Sequence, residues 1–480
     1  MTAAPLPHAH KTSFELQHLF HRQRSAYLAA PMPDLSQRIR ALKQLKAALI
    51  KNQDALCEAL SKDFGHRSHQ DTLISDILPC VGQINYTLKR LKKWMRPSRR
   101  HAGLLLAPAK VEVVYQPVGV VGIVVPWNFP VMLSIGPLIP ALAAGNRAML
   151  KLSEFTPATN QVLIALLASL FDDTQVTVVE GEADIAAAFT QLPFDHLLFT
   201  GSTAVGRHVM RAAADNLTPV TLELGGKSPT LIAPDAEISL AVERMIFGKC
   251  LNAGQICVAP DYVLVPDGKA QAFIAEFKKQ FAAMYPQGVH SQDFTSVVNQ
   301  RQFDRLSQWL EEARQEDVQI EPAHAEARDD QKHRMVPHLL VNPQETLTLM
   351  QEEIFGPLLP VITYQHIDEA LQYIQQRPRP LALYLMSFDP DLQTRVKQEV
   401  HAGGMAINET VFHVAADDAP FGGIGPSGMG HYHGYEGFLT FSKAKTVLTR
   451  GRISTAKLVT PPYSGWKARL QTRMMAFFLR

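Results

Sequence analysis

Three short segments carry side chains fit for covalent chemistry on a carbonyl. Asn252-Ala253-Gly254-Gln255-Ile256-Cys257 ends in a thiol. A free cysteine is most often a small buried residue, but Gly254 predicts a turn where the thiol can reach a ligand. A thiolate is a strong nucleophile once its pKa is lowered or a base lies near. Thr221-Leu222-Glu223-Leu224-Gly225-Gly226-Lys227-Ser228-Pro229 offers such a base at the end of a strand. Burial among apolar neighbours raises a carboxyl pKa toward the range of a general base; taken alone, Glu223 serves equally as a surface residue. In Pro126-Trp127-Asn128-Phe129-Pro130, Asn128 has an NH₂ group able to stabilise an oxyanion, and Trp127 can simply be packing.

Three further segments suit a nucleotide. In Leu198-Phe199-Thr200-Gly201-Ser202-Thr203-Ala204-Val205-Gly206, glycine at a strand-to-helix junction lets a phosphate approach backbone NH groups. It misses the phosphate-loop pattern of hydrolases, because Arg207 and His208 replace the required Lys and hydroxyl residue. Lys151-Leu152-Ser153-Glu154 follows another strand, where Lys and Glu can hold ribose hydroxyls. Glu352-Glu353-Ile354-Phe355-Gly356-Pro357 reads as a ligand-facing loop.

The elements that must position these residues alternate. Strands are expected at Val118–Val125, Ala148–Leu152, Val176–Val179 and His196–Phe199, with helices at Val131–Ala144, Ala158–Leu170, Ala183–Gln191 and Thr203–Asn216. Such alternation predicts a doubly wound parallel sheet, which binds ligands at the carboxyl ends of its strands. Two helical segments precede it, Leu35–Phe64, with Asp34 and Gly65 as caps, and Asp71–Trp94. The basic cluster Arg96–His101 and the polar stretch Gln315–Lys332 read as solvated loops. Strands and helices alternate again over Leu240–Tyr373, which predicts a second α/β domain.

Bulk properties fit that reading. The 480 residues are 19% charged and 46% hydrophobic, an ordinary globular mixture of several domains. A net charge of +2 gives no reason to expect nucleic acid. Cys57, Cys80, Cys250 and Cys257 fit neither a zinc site nor a disulfide framework. No apolar run reaches a membrane span, and Met1–Lys11 has no apolar core of a signal peptide, so a cytoplasmic setting is expected.

In this order the segments resemble the aldehyde dehydrogenase superfamily, over about Leu35 to Lys445. Asn-Ala-Gly-Gln-Ile-Cys-Val-Ala-Pro-Asp-Tyr, starting at Asn252, and Phe-Gly-Gly-Ile-Gly-Pro-Ser-Gly-Met-Gly-His-Tyr-His-Gly, starting at Phe421, are similar to its class 3 branch and, within it, to bacterial coniferyl aldehyde dehydrogenases. The resemblance implies Cys257 as nucleophile, Glu223 as general base and Asn128 as oxyanion donor. It places Trp127, Lys151, Glu154, Gly201, Ser202, Gly206, Glu353 and Phe355 around NAD, with NADP as an alternative. It implies no metal. Its fold has a doubly wound NAD(P)-binding domain (1–103 and 117–224), an α/β catalytic domain (225–414), a β oligomerisation element (104–116 and 415–455) and a tail (456–480). The substrate would be an aromatic aldehyde such as coniferaldehyde, or a medium-chain aliphatic one, and the assembly a homodimer. Glu223 argues against CoA-acylating relatives. Leu152 departs from the family's usual Pro, but the spacing of Lys151 and Glu154 is kept.

Other features have plainer readings. Cys250 is expected in the core, and His431-Tyr432-His433 has no further ligand to make a metal site. The tail, with Trp466, Lys467, Arg469, Arg473, Phe477 and Leu479, is expected to pack on the body, with contact to a membrane surface as the less favoured reading. A competing function is a thiol esterase or hydrolase using the same Cys257 and Glu223, which would have no use for Lys151, Glu154 or Glu353.

Overall fold

A computed structural model describes residues 13–103, 106–452, 460–461 and 463–478. Expectations for Met1–Lys11, Leu104, Pro462, Leu479 and residues 453–459 lie outside the described residues.

The first sheet has six strands. In spatial order they are Val176–Val179, Arg147–Lys151, Val120–Val124, His196–Thr200, Val220–Glu223 and the antiparallel edge Gly428–Met429. Every residue of Val120–Val124 is buried, as helices covering both faces require. The chain winds outward from this central strand to Val176–Val179, then returns to its other side at His196–Thr200. The crevice between Val120–Val124 and His196–Thr200 is therefore the switch point where such sheets take ligands.

The second sheet has seven strands. It orders Gln319–Pro322, His338–Val341, Leu358–Tyr364, Tyr262–Pro266, Pro229–Ile232, Ala382–Met386 and Gly404–Ile407, parallel except at the first. A third, antiparallel sheet joins Ser98–Arg100, Lys110–Pro117 and Ser442–Thr449.

Several elements differ from expectation for identifiable reasons. The helix expected over Leu35–Phe64 is two helices, Leu35–Lys51 and Gln53–Asp63. Asn52 stands between them and donates its side-chain amide to Ala48 O at 2.8 Å, competing with the backbone ladder. The start is as expected: Asp34 and Gln37 form a reciprocal capping box. Asp71–Trp94 contains a π turn, Leu73–Ile77. Arg96–His101 is not simply a loop, since Ser98–Arg100 pairs with Lys110–Pro117, although Arg99 and Arg100 stay exposed. Within Gln315–Lys332, Gln319–Pro322 forms an edge strand whose polar composition hid it.

Inside the π turn lies Asp76, fully buried and paired with the equally buried Arg67 at 2.7 Å. Asp76 accepts from Val131 N at 3.1 Å and Met132 N at 2.9 Å, while Arg67 donates to Asn128 O at 2.9 Å. The guanidinium also stands over the rings of Phe64 and Phe129. Removing one partner strands a buried charge, which costs about 3–5 kcal/mol. Arg67→Met is thus expected to lower the urea midpoint strongly, and Arg67→Met/Asp76→Leu to recover part of the loss. Equal midpoints for the single variant and the unaltered protein would refute this role.

Candidate active site

The nucleophile candidate sits beyond the helix Ile238–Cys250, on a turn of unusual backbone. Asn252, Ala253 and Gly254 have φ of 50°, 53° and 74°, a left-handed run that costs energy at the first two. Gly254 is required: a Cβ there would lie 2.7 Å from Gly356 O. A buried polar lattice holds the turn. Asn252 Nδ2 donates to Asn128 O at 3.1 Å, and Gln255 Nε2 donates to Asn252 O at 2.9 Å and Ser296 O at 3.0 Å. Val298 N closes it by donating to Gln255 Oε1 at 3.0 Å.

Asn128 follows the carboxyl end of the central strand and is buried. Its Nδ2 donates to Gln255 O at 3.1 Å, which ties it to the thiol turn. An amide carries two N–H donors, so this bond uses only half its capacity. Glu223 ends the strand Val220–Glu223 and is only 3% exposed. Neither carboxylate oxygen has a hydrogen-bond partner among the described residues, and burial holds its pKa well above the usual range.

Cys257 remains partly open to solvent, yet its sulfur is enclosed. Burial first, then Glu353 and Glu223, pushes the thiol up to about 12. The pre-lowered thiol pKa that would activate it unaided is therefore absent, and a neighbouring base must take the proton. Glu353 is raised to about 8, chiefly by burial and then by Asp261, against a hydrogen bond from Gly226 N. Its carboxylate lies so close to Gly225 that a Cβ there would overlap it.

The loop carrying Glu353 is clamped. Lys227 pairs with Asp261 and donates to Leu349 O at 2.7 Å and Glu352 O at 2.9 Å; Ile354 N donates to Asp261 Oδ2 at 2.8 Å. Phe355 meets Trp127 edge-on, ring centres 5.3 Å apart. Trp127, Asn128, Glu223, Cys257, Glu353 and Phe355 thus converge between the two parallel sheets.

The remaining candidates line neighbouring strand ends. Lys151 is buried and donates to Leu152 O at 2.7 Å, with Glu154 at 3.9 Å; burial lowers its pKa. Gly201 follows His196–Thr200, Ser202 caps the helix Thr203–Ala214, and Gly206 lies in that helix's first turn. Sequence reasoning missed Arg67, Asp76, Gln255, Lys227 and Asp261 as supports. Lys227, Gln255 and Asp261 stood inside segments already singled out, but with no supporting role read for them. As for His431-Tyr432-His433, the Tyr432 and His433 rings meet edge-on at 4.4 Å. Among the described residues, no group of His, Cys, Asp and Glu is placed to hold a metal.

The sequence profile of the aldehyde dehydrogenase family matches residues 9–447. The chain belongs to the aldehyde dehydrogenase family. It is 55% identical to a probable coniferyl aldehyde dehydrogenase of Pseudomonas aeruginosa, over 94% of each chain. It is 38% identical to aldehyde dehydrogenase family 3 member H1 of Arabidopsis thaliana, over 90% of this chain and 89% of the other. A substrate-bound structure of Staphylococcus aureus AldH superposes with a TM-score of 0.91 at 37% identity, covering 97% of this chain and 99% of that one. A Mycobacterium tuberculosis aldehyde dehydrogenase complexed with NAD⁺ gives 0.84 at 27% identity, covering 93% and 92%. The enzyme is accordingly an NAD(P)-dependent oxidoreductase of aldehydes.

Its residues fit such a cofactor. Lys151 is a buried cation with one carbonyl partner beside a more exposed carboxylate, and the helix Thr203–Ala214 opens its N-terminus at the switch point. Glu353 Oε1 is buried without a partner.

A thiol near 12 predicts slow alkylation at neutral pH, with the rate rising continuously through pH 10 as thiolate forms. Glu353 ionises only near 8, so its repulsion of the thiolate acts above that pH. Glu353→Gln should therefore alkylate Cys257 faster than the unaltered enzyme above about pH 8 and similarly below it. Iodoacetamide kinetics followed by mass spectrometry check this, and identical rates at every pH would disprove the coupling.

Proposed function

We propose that the enzyme oxidises an aromatic aldehyde such as coniferaldehyde, or a medium-chain aliphatic one, to its carboxylic acid through a covalent bond to Cys257. One observation carries this reading: the Cys257 turn is tied by a hydrogen bond to Asn128, while Glu223 perturbs the same thiol electrostatically. The names of the Pseudomonas relatives support an aromatic substrate.

In this mechanism ionised Glu223 takes the Cys257 proton and passes it to solvent, and the thiolate sulfur attacks the aldehyde carbon. The free N–H of Asn128 and the backbone NH of Cys257 stabilise the oxyanion, each such donor contributing about 3–4 kcal/mol. NAD(P), when bound, would supply the acceptor for the hydride that the thiohemiacetal carbon gives up. Lys151 and Glu154 would hold the adenine ribose, Gly201, Ser202 and Gly206 the pyrophosphate, and Glu353 and Phe355 the nicotinamide ribose, with Trp127 beside them. Glu223 then takes a proton from the water that releases the acid. Its raised pKa makes it a stronger base once ionised. A carboxylate at the ribose favours NAD over a 2′-phosphate, though class 3 enzymes often accept both.

Residues 1–103 with 117–224 form the cofactor domain in this reading, and 225–414 the catalytic domain. Residues 104–116 and 415–455 bridge two copies in a cytoplasmic homodimer. The tail helix Gly465–Phe478 leaves Trp466 71% and Phe477 69% exposed beside basic residues, and a protein surface is the cover assigned to it. Among the described residues, no helix is long and apolar enough to cross a membrane.

Reduced-nicotinamide absorbance, measured over coniferaldehyde, benzaldehyde, hexanal and decanal with each cofactor, tests the chemistry. Cys257→Ala should abolish the signal. Glu223→Gln should slow turnover about 10²-fold or more while cofactor binding persists. Normal turnover in Cys257→Ala would end the assignment. For the tail, full-length and Trp466-truncated proteins should both stay in the supernatant with liposomes; selective pelleting of the full-length protein would favour a membrane.

A further inference from the structure

Two histidines near the site have no role in the chemistry above. His413 and His433 each have both ring nitrogens buried and without a hydrogen-bond partner among the described residues. His433 is only 3% exposed. A buried polar group left unpaired costs about 1–3 kcal/mol, so two such rings in one place call for an external partner.

They share a neighbour. Phe421 stacks on His433 with ring centres 5.1 Å apart and 23° between planes, and lies 6.2 Å from His413. Phe421 and Cys257 both pack against one apolar cluster, which also contains Tyr384. Tyr384 stands 5.9 Å from His413, but its hydroxyl is committed to Val258 O and cannot answer the imidazole. Tyr432, edge-on to His433, completes the link, since its environment includes both Glu223 and Cys257.

We propose that His413 and His433 form the polar end of the aldehyde pocket and bind the phenolic hydroxyl and methoxyl oxygens of a ring-oxygenated aromatic aldehyde whose carbonyl meets Cys257. Burial lowers both imidazoles to about 4, so they are neutral at physiological pH. A neutral imidazole has one N–H and one lone pair, the complement of a phenol that both donates and accepts. An unsubstituted ring or an alkyl chain would leave both histidines unpaired, and a site built around hydrogen bonds discriminates strongly against an analogue lacking them. This inference rests on the proposed oxidation at Cys257.

The test compares kcat/KM for coniferaldehyde with that for cinnamaldehyde, which has the same propenal arm and no ring oxygens. The unaltered enzyme should favour coniferaldehyde by at least about tenfold, or ~1.4 kcal/mol. That ratio should fall about tenfold in His413→Leu and in His433→Leu. Because each ratio is taken within one protein, partial loss of folded enzyme cancels. If neither variant folds, the ratio in the unaltered enzyme still decides. Near-equal use of the two aldehydes, or an unchanged ratio in both variants, would overturn the proposal while leaving oxidation at Cys257 standing. Oxidation of no aldehyde would overturn both.

Discussion

A guanidinium and a carboxylate shut away from water, Arg67 and Asp76, set the spacing on which the catalytic centre depends. Each end of the pair also holds backbone: Asp76 receives the first amides of the helix that follows Asn128, and Arg67 caps the Asn128 carbonyl. The same carbonyl receives the Asn252 side chain from the thiol turn. One carbonyl oxygen is therefore the meeting point of an N-terminal interhelical loop, a loop of the first sheet and a turn beside the second. Without it, the left-handed run at Asn252 and Ala253 has lost one of its restraints, and that conformation is costly unless its surroundings fix it.

The electrostatics of the centre follow from its dryness. Cys257, Glu223 and Glu353 are all acids, all enclosed, and all pushed toward their neutral forms. In a low-dielectric enclosure one negative charge discourages the next. Each proton removed from one of these groups therefore makes the next harder to remove. Lys227 does not relieve this strain, because Asp261 and two carbonyl oxygens already occupy it.

What the sequence made legible was what local pattern encodes. The fully buried Val120–Val124 and its parallel neighbours announced themselves by β-branched composition between turn residues, and the chemistry-bearing segments stood at their ends. Glycine before Cys257 pointed to a turn, and the turn is there. What stayed hidden depends on partners far along the chain. Asp76 sits in a helical stretch whose spacing says nothing of Asn128, and Gln319–Pro322 reads as loop until His338–Val341 is beside it. Asn52 breaks a helix through a side-chain bond that hydrophobic periodicity does not register. The thiol pKa likewise comes from burial and from Glu353 and Glu223, which lie on other segments.

The short strand Gly428–Met429 pairs with Val220–Glu223, setting Gly428 opposite Glu223. Glu223 is made before the midpoint of the growing chain, but the edge beside it arrives only near the end. During synthesis the cofactor sheet must wait with that edge open, through production of the whole second sheet, before this long-range pairing can form. A partly made chain therefore carries the cysteine, the glutamate and the nucleotide loops without a finished centre. Glu223 thus gains its edge neighbour only after every strand of the second sheet has been made.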